Sequence, residues 1–306
     1  MNDAAPRWSE LTTRLVDLAI QEDLGHAGDI TGALLGPQAP RVRAALRARC
    51  EGVACGLALL ELLRQRFAAV GRVEFEIAPA DPPITDGQSI AAGQTLALLS
   101  GRAADLLAAE RTVLNFITRM AGVATLTSRY VAAARAANPQ VQVLDTRKTI
   151  PGWRELDKYA VRCGGGQNHR RGLFDAILIK DNHLAGVPAG RLGGRLCELL
   201  SRRAAGADFV EVEVDDLGQL EEVCRVVGVD IVLLDNFSLD ELRRAVALRD
   251  RLNLRGKLAL EASGNVDLTT IAAVAATGVD RISVGALTHS APALDVGLDF
   301  LPGAAA

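Results

Sequence analysis

The chain reads as an α/β protein: successive strand–helix units that build a parallel sheet follow a smaller layer of mixed strands and helices. Three observations predict this. From Val141 onward, six short apolar stretches end in polar residues, each followed by a helical segment: Val141 to Asp145, Ala176 to Lys180, Phe209 to Val214, Ile231 to Asp235, Leu258 to Glu261 and Arg281 to Gly285. Their ends are spaced by 22 to 35 residues, the rhythm of βα units, with shared architecture but no convincing sequence repeat. Before residue 100 the texture differs, and 306 residues with 49% hydrophobic content suffice for one large core and one small one.

Taken in order, residues 9 to 21 place Leu11, Leu15, Leu18 and Ala19 on one helical face, expected to pack on a small sheet. Residues 41 to 49 form an extended basic segment, residues 57 to 69 an apolar helix, and Val73 to Ile77 a strand by strict alternation. Asp81-Pro-Pro and Asp86-Gly87 supply turns, and Thr95 to Leu99 is a further short strand. From Ala103 to Ala137 the pattern is helical, with a break expected near Gly122; Leu107, Leu114 and Ile117 face a core, and Arg111 sits on this helix.

A closed or nearly closed parallel barrel keeps its active site at the C-terminal ends of the strands. Asp145, Arg147, Lys180, Glu213, Asp235, Glu261 and Ser263 all fall at such ends, so one geometric assumption brings them to a single mouth. An open doubly wound sheet gives a similar sequence pattern and a similar convergence.

Composition narrows the function. Formal net charge is −3, yet residues 145 to 183 hold eight Lys or Arg against five Asp or Glu, a cation cluster suited to a small anion rather than to nucleic acid. The longest uncharged run, Gly87 to Gly101, has 15 residues and is too short and polar to span a bilayer. The N-terminus has no basic start followed by an apolar core, so a cytoplasmic location is expected. Five scattered cysteines without a Cys-x-x-Cys pair are expected to be reduced and mostly buried. No Gly-x-Gly-x-x-Gly follows a strand, and there is no phosphate-loop lysine motif.

Within the cation cluster, Arg147, Lys148, His169, Arg170 and Lys180 are candidates for a pocket: the arginine fork binds carboxylates in pairs, and lysine adds a point charge. The Gly164-Gly-Gly166 loop leads into His169. Glu213 and Asp235 end successive strands and have the hard oxygen chemistry of Mg²⁺ ligands, with Glu211 two residues earlier on the same strand face. Ser263-Gly264-Asn265 and Gly285-Ala286 close two late strands, where glycine permits the close backbone approach that a phosphate requires. Lys180 is better read as an anion contact than as a Schiff-base lysine. His183 either orients Lys180 or a carboxylate, or is a structural histidine; His289 is read as structural.

The blocks Asp145-Thr-Arg-Lys-Thr149, Gly164-Gly-Gly-Gln-Asn-His-Arg170 and Ile179-Lys-Asp-Asn-His183 resemble quinolinate phosphoribosyltransferase, the decarboxylating nicotinate-nucleotide pyrophosphorylase. Further blocks at 109–116, 211–215, 234–237, 261–265 and 278–290 fall in that family's order. Two departures are Ile150, where the family often has a second Thr, and Trp153, where it often has Leu.

The resemblance implies an incomplete parallel α/β barrel preceded by a smaller open-faced α/β sandwich, the type II phosphoribosyltransferase fold. The corresponding domains are 1–115 and 116–289, with a tail of about 290–306 packing on the first. It implies transfer of phosphoribose from phosphoribosyl pyrophosphate to quinolinate, with Mg²⁺ as cofactor, in NAD biosynthesis. Substrates would be held by Arg147, Lys148, His169, Arg170, Lys180, Glu213 and Asp235, with a 5′-phosphate cradle at Ser263, Gly264, Asn265 and Gly285. Lys148, Lys180, Glu213 and Asp235 would carry the catalysis, and Glu213 and Asp235 the metal. Arg111 matches an arginine that crosses a homodimer interface into the neighbouring site, and a higher oligomer is compatible with that. The alternatives are a related phosphoribosyltransferase-like protein of molybdenum uptake loci and a non-catalytic anion-binding protein on the same scaffold. The intact Asn168-His169-Arg170 and Asp145-Thr146-Arg147-Lys148 blocks disfavour the first; the retained carboxylates and arginines disfavour the second.

Overall fold

The computed structural model describes residues 6–188, 190–203 and 206–302. It separates into two compact units. Among the described residues, one takes the chain up to Ser128 together with Thr149–Gly165 and the segment from Ser290 onward; the other consists of Arg129–Lys148 and Gly166–His289. The expected division between 115 and 116 falls inside a continuous helix, Ala103–Ala137, whose residues belong to both units.

The first unit is built on a four-stranded antiparallel sheet in the order Val296–Phe300, Arg41–Ala48, Thr95–Arg102, Phe75–Pro79. The C-terminal strand closes one edge by pairing Ala44 with Phe300 and Ala48 with Val296. The N-terminal helix, Glu10–Leu24, starts where the Ser9 side chain accepts a hydrogen bond from the Thr12 amide, capping a free N–H of the first turn. Its buried face is Thr12, Val16 and Ile20, not the Leu11, Leu15, Leu18 stripe, and Leu11 and Leu18 are exposed. The reason lies in Glu155, which takes the hydroxyls of both Ser9 and Thr12 and thereby turns that side of the helix inward.

The long helix is unbroken at Gly122. A Cβ there would overlap the Pro292 carbonyl, so glycine serves a close backbone approach rather than a kink. Leu114 and Ile117 are buried as expected, whereas Leu107 is exposed. Cysteine burial was overestimated by composition: all five are free thiols, but only Cys55 is buried and Cys197 is exposed. No helix among the described residues is long and apolar enough to cross a membrane.

The second unit holds six parallel strands in the order Gln142–Leu144, Arg281–Ser283, Ala259–Ser263, Ile231–Asp235, Val210–Val214, Ile177–Ile179. Read from the last to the first, this is chain order with the first strand joined after the sixth. It is the cyclic order of a barrel, and no ladder pairs Gln142–Leu144 with Ile177–Ile179 among the described residues. An isolated bridge from Leu144 to Gln167 stands at that open edge. The barrel is therefore incomplete, and the open doubly wound alternative, whose strand order would reverse at a switch point, is excluded.

Register explains which side chains share the interior. Glu213 pairs with Leu233, Leu233 with Glu261, Glu261 with Arg281, and Arg281 with Gln142; one step further along, Asp235 pairs with Ser263. Residues two apart on a strand face the same way, so Glu211 and Glu213 share a side while Val210, Val212 and Val214 pack on the other. The inner layers are thus unusually polar for a barrel, and they stand directly below the strand ends.

Candidate active site

At the C-terminal ends of the strands lies a cavity of about 620 Å³, within the range of small-molecule sites. Its wall brings together Arg147, Lys148, His169, Arg170, Lys180, Glu213, Asp235, Ser263, Gly264 and Asn265 from sequence segments more than a hundred residues apart. Another cavity of about 670 Å³ opens at the opposite, N-terminal end of the strands, lined by groups such as Asp230, Arg249, Lys257 and Asp280. Its buried cation is already matched, since Arg249 bonds Asp250 at 2.9 Å and also Asp280, whereas in the first cavity two arginine Nε groups have no hydrogen-bond partner among the described residues.

The segment Asp145–Lys148 leaves the first strand, and Asp145 anchors the loop that returns beside it. Its fully buried carboxylate accepts the His169 amide at 2.9 Å and the Asn168 side-chain amide at 2.6 Å. The Thr146 hydroxyl accepts the Lys148 amide at 3.0 Å, which turns the chain at the mouth. Arg147 and Arg170 both line the cavity, and among the described residues the Nε of each is buried without a hydrogen-bond partner. Burial, and then the like charge of Arg147, lower the pKa of Arg170. A pair of desolvated guanidinium groups with open donor positions is a receptor for an anion with two or more carboxylate or phosphate oxygens.

Lys180 and Glu213 form an ion pair across neighbouring strands. The exposed His183 supports that lysine's backbone, accepting the Lys180 amide on Nδ1 at 3.0 Å, so its role is to shape the turn. Asp235 ends the next strand and accepts from the Asn236 side chain at 2.8 Å. Asn236 adopts a left-handed conformation with φ of 55° and presses on Gly264, whose own φ is 101°. A Cβ on Gly264 would stand 2.7 Å from Asn236 Cγ and 3.0 Å from its backbone nitrogen, so only glycine fits this loop. Gly285 is not part of the cavity wall, but a Cβ on it would stand 3.0 Å from Lys148 Cδ, so its small size leaves room for that lysine.

Below the mouth lies a buried polar cluster. His169 Nε2 is 2.8 Å from Glu211 and 3.5 Å from Glu261, and Arg281 Nε donates to Glu261 at 2.7 Å. Burial, followed by the charge of Glu211, raises the pKa of Glu261. For His169, burial disfavours the imidazolium, while the Glu211 hydrogen bond and the charges of Glu261 and Glu211 outweigh it and raise the ring's affinity for a proton. Nδ1, however, accepts the Arg170 amide at 2.7 Å, as only an unprotonated nitrogen can, so the geometry is that of the neutral ring with its hydrogen on Nε2. These three residues form a group spaced closely enough to hold a metal among the described residues, and apart from the approach of His169 Nε2 the buried Glu211 oxygens and Glu261 Oε1 have no hydrogen-bond partner there.

The sequence reading missed Asp145 as the loop anchor, Arg281 as the partner of Glu261, and Asn236 as the wall of the glycine turn. The asparagine following a strand-end aspartate was the one available signal, because asparagine tolerates the left-handed conformation. Arg111 lies in the first unit, exposed on the Ala103–Ala137 helix, and does not line this cavity. Trp153 stacks on Phe116 at 4.9 Å, and Ile150 is exposed, so neither departure from the family pattern lines the cavity.

Two family models match the chain: "Quinolinate phosphoribosyl transferase, N-terminal domain" over residues 29–121, and the C-terminal domain of the same family over residues 123–299. The chain belongs to the quinolinate phosphoribosyl transferase family. It is 41% identical over 286 residues to a nicotinate-nucleotide pyrophosphorylase [carboxylating] of Mycobacterium leprae, covering 92% of this chain and 94% of the relative. A probable nicotinate-nucleotide pyrophosphorylase [carboxylating] of Bacillus subtilis is 37% identical, over 94% and 92% of the two chains. The solved structure of the nicotinate-nucleotide pyrophosphorylase from Francisella tularensis superposes with a TM-score of 0.80 at 38% identity, covering 98% of this chain and 100% of that one. Both the small sheet unit and the incomplete barrel of this quinolinate phosphoribosyl transferase family member thus have solved counterparts.

Proposed function

We propose that this protein transfers phosphoribose from phosphoribosyl pyrophosphate to the ring nitrogen of quinolinate and releases pyrophosphate and carbon dioxide, leaving nicotinate mononucleotide for NAD biosynthesis. The observation that carries this is the single cavity in which Arg147, Lys148, Arg170 and Lys180 face Glu213, Asp235 and the Ser263–Asn265 turn, in a chain of this family. Two adjacent carboxylates on an aromatic ring match the two arginines whose Nε groups are buried without partners. The glycine turn beside Asp235 suits a phosphate, since Gly264 carries no side chain of its own to keep one from the backbone.

Glu213 and Asp235 are hard oxygen donors on neighbouring strands, and no third carboxylate or histidine groups with them among the described residues. That set fits Mg²⁺, which takes few protein ligands and is completed by phosphates and water. When bound, the ion would stabilise the charge of the departing pyrophosphate.

The chain's own groups do the placing. Arg147 and Arg170 hold the dicarboxylate so that its nitrogen faces the anomeric carbon, and Lys148 and Lys180 stabilise negative charge at the leaving phosphates and at the carboxylates. The ribose passes through an oxocarbenium-like state that the carboxylates of Glu213 and Asp235 favour electrostatically. Once the ring nitrogen is quaternised, it stabilises the carbanion left when the neighbouring carboxylate departs as carbon dioxide, and a proton from water completes the product. No group has to act as a strong general base.

A homodimer, with the exposed Arg111 offered to the neighbouring site, is part of the same reading and is supported by the family resemblance of that position. A purified-protein assay tests the function. Product should form with quinolinate and Mg²⁺, stop on chelation, and be absent when nicotinate replaces quinolinate. Turnover of nicotinate, or none of quinolinate by folded protein, would sink the assignment.

A further inference from the structure

We infer that Cys55 and Cys163 of the first unit are a peroxide-reactive pair: Cys163 takes the oxidant and Cys55 resolves it, closing a reversible intramolecular disulfide. Spacing hides the pair, since the two cysteines stand over a hundred residues apart, and both are free thiols here. One carboxylate brings them together. Asp86 accepts the Leu57 amide at 2.9 Å and the Ala58 amide at 3.2 Å, just after Cys55, and its Oδ2 also accepts the Tyr159 hydroxyl at 2.9 Å. Tyr159 and Cys163 lie four residues apart on the helix Arg154–Cys163 and so share a face. Tyr159 is fixed in turn by Trp8, whose ring meets it edge-on with centroids 5.1 Å apart. Gly87 closes the other side. Its amide donates to the Ala54 carbonyl at 2.8 Å, next to Cys55, and a Cβ built on it would stand 3.4 Å from the Cys163 carbonyl oxygen.

The two thiols differ as such a pair requires. Cys55 is 1% exposed, and burial, followed by the hydrogen bond that its thiol donates to Cys163 Sγ, holds it protonated. Cys163 is half-buried. Receiving that hydrogen bond lowers its pKa ahead of the opposing effects of burial and the Asp86 charge, and the Arg162 charge acts in the same direction. Thiolate character, partial exposure and a neighbouring thiol within hydrogen-bond reach favour a sulfenic acid at Cys163 and its capture by Cys55. A peroxide accounts for every atom. The Cys163 thiolate attacks one oxygen of hydrogen peroxide, the O–O bond breaks, and the departing hydroxide takes up a proton as water. The Cys55 sulfur then attacks the Cys163 sulfur, the S–O bond breaks, and the second hydroxide leaves with the Cys55 proton as water. Two thiols lose two electrons to one peroxide, and no metal takes part. Among the described residues, no third histidine, cysteine or carboxylate groups closely enough with the two sulfurs to make a metal site.

The test is non-reducing peptide mapping by mass spectrometry, after the reduced full-length protein is treated with hydrogen peroxide and its remaining thiols are alkylated. The expected result is a Cys55–Cys163 crosslink, lighter by two hydrogens than the separate peptides, which dithiothreitol returns to two alkylatable thiols. Cys197, which is exposed, and Cys224, whose pKa burial raises to about 11, are internal references for unselective oxidation. Cys163→Ser should leave Cys55 a free thiol, alkylated once the protein is unfolded. Cys55→Ser should stop at a Cys163 sulfenic acid that dimedone traps, and further peroxide should carry it to a sulfinic acid that dithiothreitol does not reverse. Oxidation that reaches Cys197 while Cys55 and Cys163 both stay alkylatable would overturn the inference. So would a sulfenic acid on Cys55 in the Cys163→Ser protein, because the roles would then be reversed. Should either serine variant fail to fold, the map of the unmodified sequence decides alone: crosslinked peptides support the pair, and two free thiols overturn it.

Discussion

Arg170→Met should make the ligand-free protein more stable and its dicarboxylate binding much weaker. The Nε of Arg170 is buried without a partner, and its charge sits beside that of Arg147 with burial already lowering its pKa. An orphaned buried donor costs about 1–3 kcal/mol. Because the residue is only half-buried, a gain near the bottom of that range, about 1 kcal/mol, is expected when methionine fills the space without the donor. For a chain of this length that corresponds to a melting temperature about 2 °C higher. Loss of charged hydrogen bonds to one carboxylate, at about 1.5–3 kcal/mol, predicts quinolinate affinity lower by about 10- to 100-fold. Differential scanning calorimetry of the free variant and titration calorimetry with quinolinate measure the two halves separately. A melting temperature that falls by several degrees, with affinity unchanged, would refute the claim that this pocket stores unpaired cation for an anionic ligand.

Other substitutions separate scaffold from chemistry. Asp145→Ala strips acceptors from the His169 amide and the Asn168 side chain, and should cost about 2–4 kcal/mol by denaturant titration, with Asp145→Asn costing distinctly less. Gly264→Ala forces a Cβ against Asn236 at a φ of 101° and should raise the KM for phosphoribosyl pyrophosphate about tenfold or more while quinolinate binding to the free protein changes little. Arg249→Leu, at the opposite end of the barrel, removes the partner of Asp280 and should lower stability by about 2 kcal/mol with kcat/KM unchanged. For Asp175, burial acts upward, but the Arg171 and Gly172 amides and the Arg171 side chain outweigh it, so its folded pKa lies below the unfolded value. Its stabilisation is therefore present above the ordinary carboxylate range and lost as pH falls through the folded pKa, and Asp175→Asn should flatten the acid limb of a melting-temperature profile.

Much of the second unit was legible because strand burial is a local property. Ile231–Asp235 was read to the residue, and the other five strands were displaced by one or two residues at one or both ends. The polar strand ends needed only the rule that parallel strands deliver their C-termini to one mouth. What could not be read were pairings decided at long range. The N-terminal helix buries Thr12, Val16 and Ile20 in place of the leucine stripe, and Glu155, over 140 residues away, holds that side through Ser9 and Thr12. Gly122 looked like a break because a helix-interior glycine costs stability, and only the Pro292 carbonyl explains why it is kept without one. For His169 the type and place were visible, but the Arg170 amide that its Nδ1 accepts and the Glu211 carboxylate 2.8 Å from its Nε2 were not.

The most direct test of the central claim is the fate of the carboxylate next to the ring nitrogen. With quinolinate labelled separately at each carboxyl carbon, the protein with Mg²⁺ and phosphoribosyl pyrophosphate should release label from the 2-carboxyl position as carbon dioxide, one for each pyrophosphate formed. The 3-carboxyl label should remain in the nucleotide. Pyrophosphate without carbon dioxide, or label lost from the 3-carboxyl position, would contradict the account.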